Sequence, residues 1–187
     1  DTYRTLMAAD SAVMVIDGSK GVEAQTKKLF KVCTMRHIPI FTFINKMDRD
    51  AMDTFDLLSD IESNLGIETC PMNWPLGSGK NFKGIFDRQE NQIVTFADTM
   101  KGTKEGTETC FSLDDQSMID QYVGEDAFET LQSEIELLDG AGVEFDLDKV
   151  RAGEITPVFF GSALQNFGVE IFLHHFLQMA TPPAGRV

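Results

Sequence analysis

Apolar residues fall into distinct kinds of run along this chain, and each kind predicts a different element. Continuous β-rich runs occur at Ala12-Val13-Met14-Val15-Ile16, closed by Asp17-Gly18, and again over 38–44 and 156–161. Unbroken apolar character suits parallel strands buried on both faces. Pro39 fits only near the start of the second run, because it cannot donate to a ladder. Helical spacing appears between these runs. Val22, Leu29, Val32 and Cys33 share one face over about 22–36, and Phe55, Leu58, Ile61 and Leu65 mark a helix that stops at Gly66. Val169, Phe172, Phe176 and Met179 mark another over about 167–179, and residues 2–10 read as a helix tail. The alternation predicts an α/β fold, a parallel sheet with helices on both faces.

Between residues 68 and 152 the pattern changes. The segments 72–77, 82–87 and 92–96 read as short antiparallel strands joined by Gly-rich turns. Phe128, Leu131, Ile135 and Leu138 then mark a helix over about 126–139. One strand–helix–strand unit needs only about 30 residues. Residues 68–152 are therefore expected to form an inserted α+β subdomain.

The second apolar run stops at Asn45-Lys46-Met47-Asp48. Ligands of open α/β sheets sit just beyond the carboxyl ends of the strands, where this tetrapeptide falls. Asp48 offers two acceptor oxygens side by side, which match the adjacent N1–H and N2–H₂ donors of guanine; adenine has no such pair. Bonds of this kind contribute about 1.5–3 kcal/mol each. Asn45 both donates and accepts, which suits the N7 edge of a base and the neighbouring loop backbone. The stem of Lys46 can lie along a base plane with its ammonium toward solvent or ribose. A plain surface turn is the alternative, since Asn, Lys and Asp are common turn residues.

A second loop decides between them. The last apolar strand ends in Gly161-Ser162-Ala163-Leu164, where a main-chain N–H at Ala163 can donate to guanine O6 and the small residues let the backbone approach closely. Asn-Lys-x-Asp and Ser-Ala after successive parallel strands together form a guanine-reading pair. No sequence in the chain supplies a phosphate loop. Gly77-Ser78-Gly79-Lys80 would need Gly at position 74 and a hydroxyl residue at 81, where the chain has Trp74 and Asn81. It reads as a hairpin turn. His174 and His175 are adjacent on a helix and point about 100° apart, which argues against a shared metal.

Composition adds less. Hydrophobic content of 42% with 25% charged residues is that of a soluble globular protein. No apolar run reaches membrane-spanning length, and Cys33, Cys70 and Cys110 lack metal-type spacing, which suits reduced, mostly buried thiols in the cytoplasm. The net charge of −14 is concentrated in residues 105–154, which carry 15 acidic and 2 basic side chains. That excess disfavours direct nucleic-acid binding. It suits either a solvated helical face or a docking surface for a basic protein.

Residues 1–10 (Asp-Thr-Tyr-Arg-Thr-Leu-Met-Ala-Ala-Asp), Val15-Ile16-Asp17-Gly18-Ser19-Lys20-Gly21-Val22-Glu23 and Asn45-Lys46-Met47-Asp48-Arg49-Asp50 together resemble the bacterial translational GTPases. Asn73-Trp74-Pro75-Leu76-Gly77, Phe82-Lys83-Gly84 and Gly153-Glu154 through Ala163 extend the likeness over nearly the whole chain. The residues around Thr2–Asp10, the Trp74-Pro75 pair and the Leu after Ala163 resemble the termination branch rather than the elongation translocases. The resemblance implies the C-terminal half of a P-loop-NTPase-type G domain, residues 1–67 and 153–187, with 68–152 inserted. It also implies that Asn45, Lys46, Asp48, Ser162, Ala163 and Leu164 bind the guanine of GTP or GDP. Mg²⁺ ligands and catalytic residues would lie outside this chain, so the chain alone is expected to bind GDP weakly at most and to hydrolyse nothing. The implied partners are the ribosome, class I release factors and, for the acidic stretch, a basic ribosomal stalk protein.

Overall fold

The computed structural model of the protein describes residues 2–6, 8–96 and 108–182. Asp1 and Met7 of the N-terminal motif, and residues 105–107 of the acidic stretch, lie outside the described residues. The first elements are α1 (Thr2–Leu6), β1 (Ala12–Asp17), α2 (Ala24–Met35), β2 (Ile40–Asn45) and α3 (Thr54–Leu65). Strands β3 (Glu68–Pro71), β4 (Asn73–Leu76), β5 (Gly84–Asp87), β6 (Gln92–Phe96) and β7 (Glu108–Ser112) follow. The chain then forms α4 (Gln116–Tyr122), α5 (Glu125–Ala141), α6 (Leu147–Arg151), β8 (Ile155–Phe160) and α7 (Val169–Met179).

Two sheets result. The first is wholly parallel in the order β1-β2-β8-β3, and the second is antiparallel in the order β4-β5-β6-β7. The expected α/β architecture is present, with helices on both faces of the parallel sheet. Phe41, Phe43 and Phe159 pack beneath Phe172 of α7 and Val150 of α6. Ile16, Ile44, Val158 and Phe160 pack with Leu57, Leu58 and Ile61 of α3. Between β2 and β8 the buried hydroxyls of Thr42 and Thr156 lie 2.8 Å apart, and Thr156 donates on to the Ile40 carbonyl.

Helix α3 starts and stops where its local chemistry requires. Asp53 accepts from the main-chain N–H groups of Phe55 and Asp56, which caps the first turn. Gly66 takes φ 68° at the C-cap, a left-handed conformation that glycine adopts without a Cβ clash. Helix α1, Thr2–Leu6, is shorter than its sequence span suggested, since Ala8 to Asp10 are not helical.

Several expectations shift once tertiary contacts are counted. Strand β1 is not buried on both faces: Val13 is 40% and Val15 60% exposed. Among the described residues it pairs only with β2 and forms one edge of the sheet, while α7 lies over β2 and β8. A groove of about 570 Å³ runs along that edge, lined in part by Thr2, Leu6, Val13, Val15 and Phe30. The segment Glu68–Pro71, expected to open the insertion, instead joins the parallel sheet beside β8. Four residues are too few for periodicity to separate a parallel edge strand from the first arm of a hairpin. Cys110 is exposed, in contrast to the buried Cys33 and Cys70. On α5, Glu129 and Glu136 face solvent, whereas Glu134 is partly buried and accepts a hydrogen bond from Trp74 Nε1. Burial pushes the Glu134 carboxyl up, against that hydrogen bond. Glu134 therefore belongs to the core edge rather than to the acidic outer face. No described helix is long and apolar enough to cross a membrane.

Candidate guanine-nucleotide site

Parallel register brings three strand ends level. Asp17 of β1 lies opposite Asn45 of β2, and Ile44 lies opposite Phe160 of β8. The residues just past these ends are Gly18-Ser19, Lys46-Met47-Asp48 and Gly161-Ser162-Ala163. The two loops found in the sequence are thus adjacent in space, although 118 positions separate Asn45 from Ala163.

Asn45 ties them together. Its Oδ1 accepts from the Lys46 N–H at 2.8 Å and from the Ala163 N–H at 2.8 Å. The Ala163 donor expected for a base carbonyl is therefore already engaged by Asn45, and a ligand oxygen there would share it. The Nδ2 end of Asn45 has no partner among the described residues. Main-chain bonds add to the tie: Met47 N–H donates to the Gly161 carbonyl, Gly161 N–H to that of Ile44, and Gly18 N–H to that of Asn45. Met47 itself is fully buried and anchors the loop in the core. Gly161 cannot be larger, because a Cβ there would sit 2.6 Å from the Phe167 carbonyl and 2.9 Å from Phe43 Cζ.

Lys46 behaves differently from the sequence expectation. It takes φ 68°, and its ammonium reaches Asp17 Oδ2 at 2.6 Å instead of pointing to solvent. Asp17 Oδ1 also accepts from the N–H and the hydroxyl of Ser19. The Lys46 ammonium, and after it Ser19, hold the Asp17 carboxyl well below the usual carboxylate range. A carboxyl depressed in the folded state adds stability above its unfolded value of 3.8 and loses it as pH falls through the depressed value. Asp17→Asn is therefore expected to cost about 1 kcal/mol at neutral pH, the Lys46 side chain being 42% exposed. The gap in denaturant midpoint between variant and wild type should narrow as pH drops below about 4. A gap that stayed constant down to about pH 2 would show that this carboxyl is not held.

Asp48 carries the most suggestive geometry. Its Oδ1 is buried with no hydrogen-bond partner among the described residues, and the same holds for Ser162 Oγ. Buried polar atoms are nearly always paired, so a bare carboxylate oxygen marks a place where a donor is wanted. Ser162 is held rigidly by reciprocal main-chain bonds with Phe167, at 3.0 and 2.9 Å. Leu164 stands 77% exposed beside this turn.

Two neighbours of the site were not singled out from sequence. Asp17 could have been, since it closes an apolar strand on the ligand side of a parallel sheet. The turn at Gly77–Lys80 is the link between β4 and β5, and its Gly79 N–H donates to the Met47 carbonyl at 2.9 Å. No sequence signal shows that contact. The two adjacent histidines have separate partners: His175 is buried against Asp87 at 3.1 Å, and exposed His174 pairs with Gln178. Among the described residues no grouping of three or more His, Cys, Asp or Glu could hold a metal.

The family model of the elongation factor Tu GTP-binding domain matches residues 1–182. The chain belongs to this family. Among curated relatives of this GTP-binding domain, peptide chain release factor 3 of Synechococcus elongatus is 50% identical over 186 residues, covering 100% of the chain and 33% of the relative. The protein of the same name from Symbiobacterium thermophilum is 54% identical over 188 aligned residues, covering 100% of the chain and 35% of the relative. The GTP-binding domain thus spans about a third of the length of the curated relatives it matches. A crystal structure from Thermus thermophilus superposes with a TM-score of 0.69 at 22% identity, covering 97% of this chain and 28% of that one. That likeness is one of fold.

Proposed function

We propose that this domain reads the guanine base of GTP and GDP through Asn45, Lys46, Asp48, Ser162, Ala163 and Leu164. The observation that carries the reading is the unpaired, buried Oδ1 of Asp48 beside the Asn45–Ala163 tie. Guanine N1–H and N2–H₂ are the donor pair that would satisfy that carboxylate. Lys46, fixed by Asp17, offers its aliphatic stem as one wall for the base. Ser162 and Ala163, at the end of β8, supply close-approaching main chain. Exposed Leu164 supplies apolar surface for the edge of the ring.

In the longer protein this base-reading half serves a GTPase of translation termination. There it works with the ribosome in the cytoplasm and promotes the departure of class I release factors. The relatives named above, which bear the name of a release factor, support that role. Mg²⁺ belongs to the phosphate side of such a site. The residues described here do not fit it, and no step of the reading runs through it. The chain by itself would at most hold GDP weakly, and GTP cleavage is assigned to the longer protein.

Competition binding tests the base reading. Full-length protein is loaded with a fluorescent GDP and challenged with GDP, IDP and ADP. GDP is expected to displace the probe at least ~100-fold better than ADP, because an unmet buried acceptor rejects the wrong base by orders of magnitude. IDP, which lacks the N2 amine, should fall between them. Equal displacement by GDP and ADP would reject the reading.

A further inference from the structure

The parallel sheet loses a strand just before the second guanine loop. The Met72 N–H donates to the Val158 carbonyl at 2.9 Å, next to the end of β3. The next main-chain groups on that edge of β8 are the N–H and carbonyl of Phe160. Neither is left bare. Phe160 N–H donates to Asn73 Oδ1 at 2.7 Å, and Asn73 Nδ2 donates to the Phe160 carbonyl at 3.2 Å. A single side chain therefore stands in for the missing strand. A carboxamide carries one acceptor and one donor at that spacing at any pH, and Asn73 is 1% exposed.

Phe160 is followed directly by Gly161-Ser162-Ala163. Asn73 opens β4, whose far end leads into the turn where Gly79 donates to the Met47 carbonyl. Hence the antiparallel sheet is tied to both base loops, through the Asn73 side chain at the start of β4 and the Gly79 N–H in the turn beyond its end. We infer that Asn73 is a positioning residue for guanine-nucleotide binding, holding the Ser162–Ala163 loop in register with Asn45 and Asp48. The inference rests on the guanine reading above. Binding constellations tolerate displacements of only about 0.5 Å, and cutting both Phe160 bonds leaves the main chain at the end of β8 held from the β2 side, through the Gly161–Ile44 and Met47–Gly161 bonds.

The test is nucleotide dissociation from the full-length protein, with fluorescent GDP chased by excess GDP. Asn73→Ala is expected to raise the dissociation rate about tenfold. Asn73→Thr, whose shorter side chain offers donor and acceptor on one oxygen instead of on two separate atoms, should raise it by roughly threefold. Arg88→Ala serves as the control. It removes the Arg88 bonds to the Pro71 carbonyl and to Asp139 in the same part of the molecule without touching either loop, and it should dissociate like wild type. A purely structural role would lower the fraction of filled sites and leave the rate of the filled ones unchanged; that result overturns the inference. Should Asn73→Ala not fold, a wild-type rate for Asn73→Thr overturns it equally. Asp48→Asn run in the same assay separates the two readings. If it leaves the preference for guanine over xanthine intact, the guanine reading fails and takes this one with it. If it switches the preference while the Asn73 variants match wild type, only the bracing role fails.

Discussion

Asp48→Asn in the full-length protein is expected to lower GDP affinity by about 10²–10⁴-fold and to create a preference for xanthosine diphosphate. Two charge-assisted bonds at about 1.5–3 kcal/mol each set that range. The sign follows from hydrogen-bond polarity. Asparagine places an amide donor where aspartate had an acceptor, and xanthine has a carbonyl where guanine carries its amine. The buried Oδ1 of Asp48 makes the loss steep, since no described residue donates a hydrogen bond to it. Equilibrium binding of both diphosphates to the variant and to wild type checks the result. An unchanged ratio would remove Asp48 from the base site.

Trp74→Ala is expected to give the largest loss of stability, about 3–5 kcal/mol. The ring is fully buried where the two sheets meet. Its ring lies tilted at 4.8 Å from that of Phe55 of α3 and edge-on at 5.6 Å from that of Phe160 of β8, and its Nε1 donates to Glu134 of α5. One side chain thus joins β4, the parallel sheet, α3 and α5. Trp74→Phe keeps most of the packing and strips only the donor. It should cost about 1–2 kcal/mol, because a half-buried carboxylate is left unmet. Denaturant unfolding followed by far-ultraviolet circular dichroism is the suitable measurement, Trp74 being the sole tryptophan. A midpoint for Trp74→Ala within error of wild type would mean that this ring does not couple the sheets.

Local chemistry made much of the fold legible. Helix α3 was legible from its apolar spacing and a terminal Gly66, and α7 from its apolar spacing, since each signal acts within a turn or two of the chain. The strands β2 and β8 were readable because both are central and buried throughout. Strand β1 has the same apolar character, yet Val13 and Val15 face outward, because exposure at a sheet edge depends on what lies beside the strand. The parallel pairing of Glu68–Pro71 was hidden for a related reason: the partner β8 lies more than 80 residues away.

The base site divides in the same way. The sequence by itself determined the residues proposed to read the base, as Asn45-Lys46-Met47-Asp48 and Ser162-Ala163 at the ends of apolar strands, because hydrogen-bond complementarity is a property of side chains in order. Tertiary structure alone decided how those loops are held. Asn45 braces Ala163, Asp17 takes the Lys46 ammonium, and Asn73 replaces a strand beside Phe160. These contacts join residues 118, 29 and 87 positions apart, and no local pattern encodes them. They exist because parallel register sets three strand ends level and the antiparallel sheet closes against them.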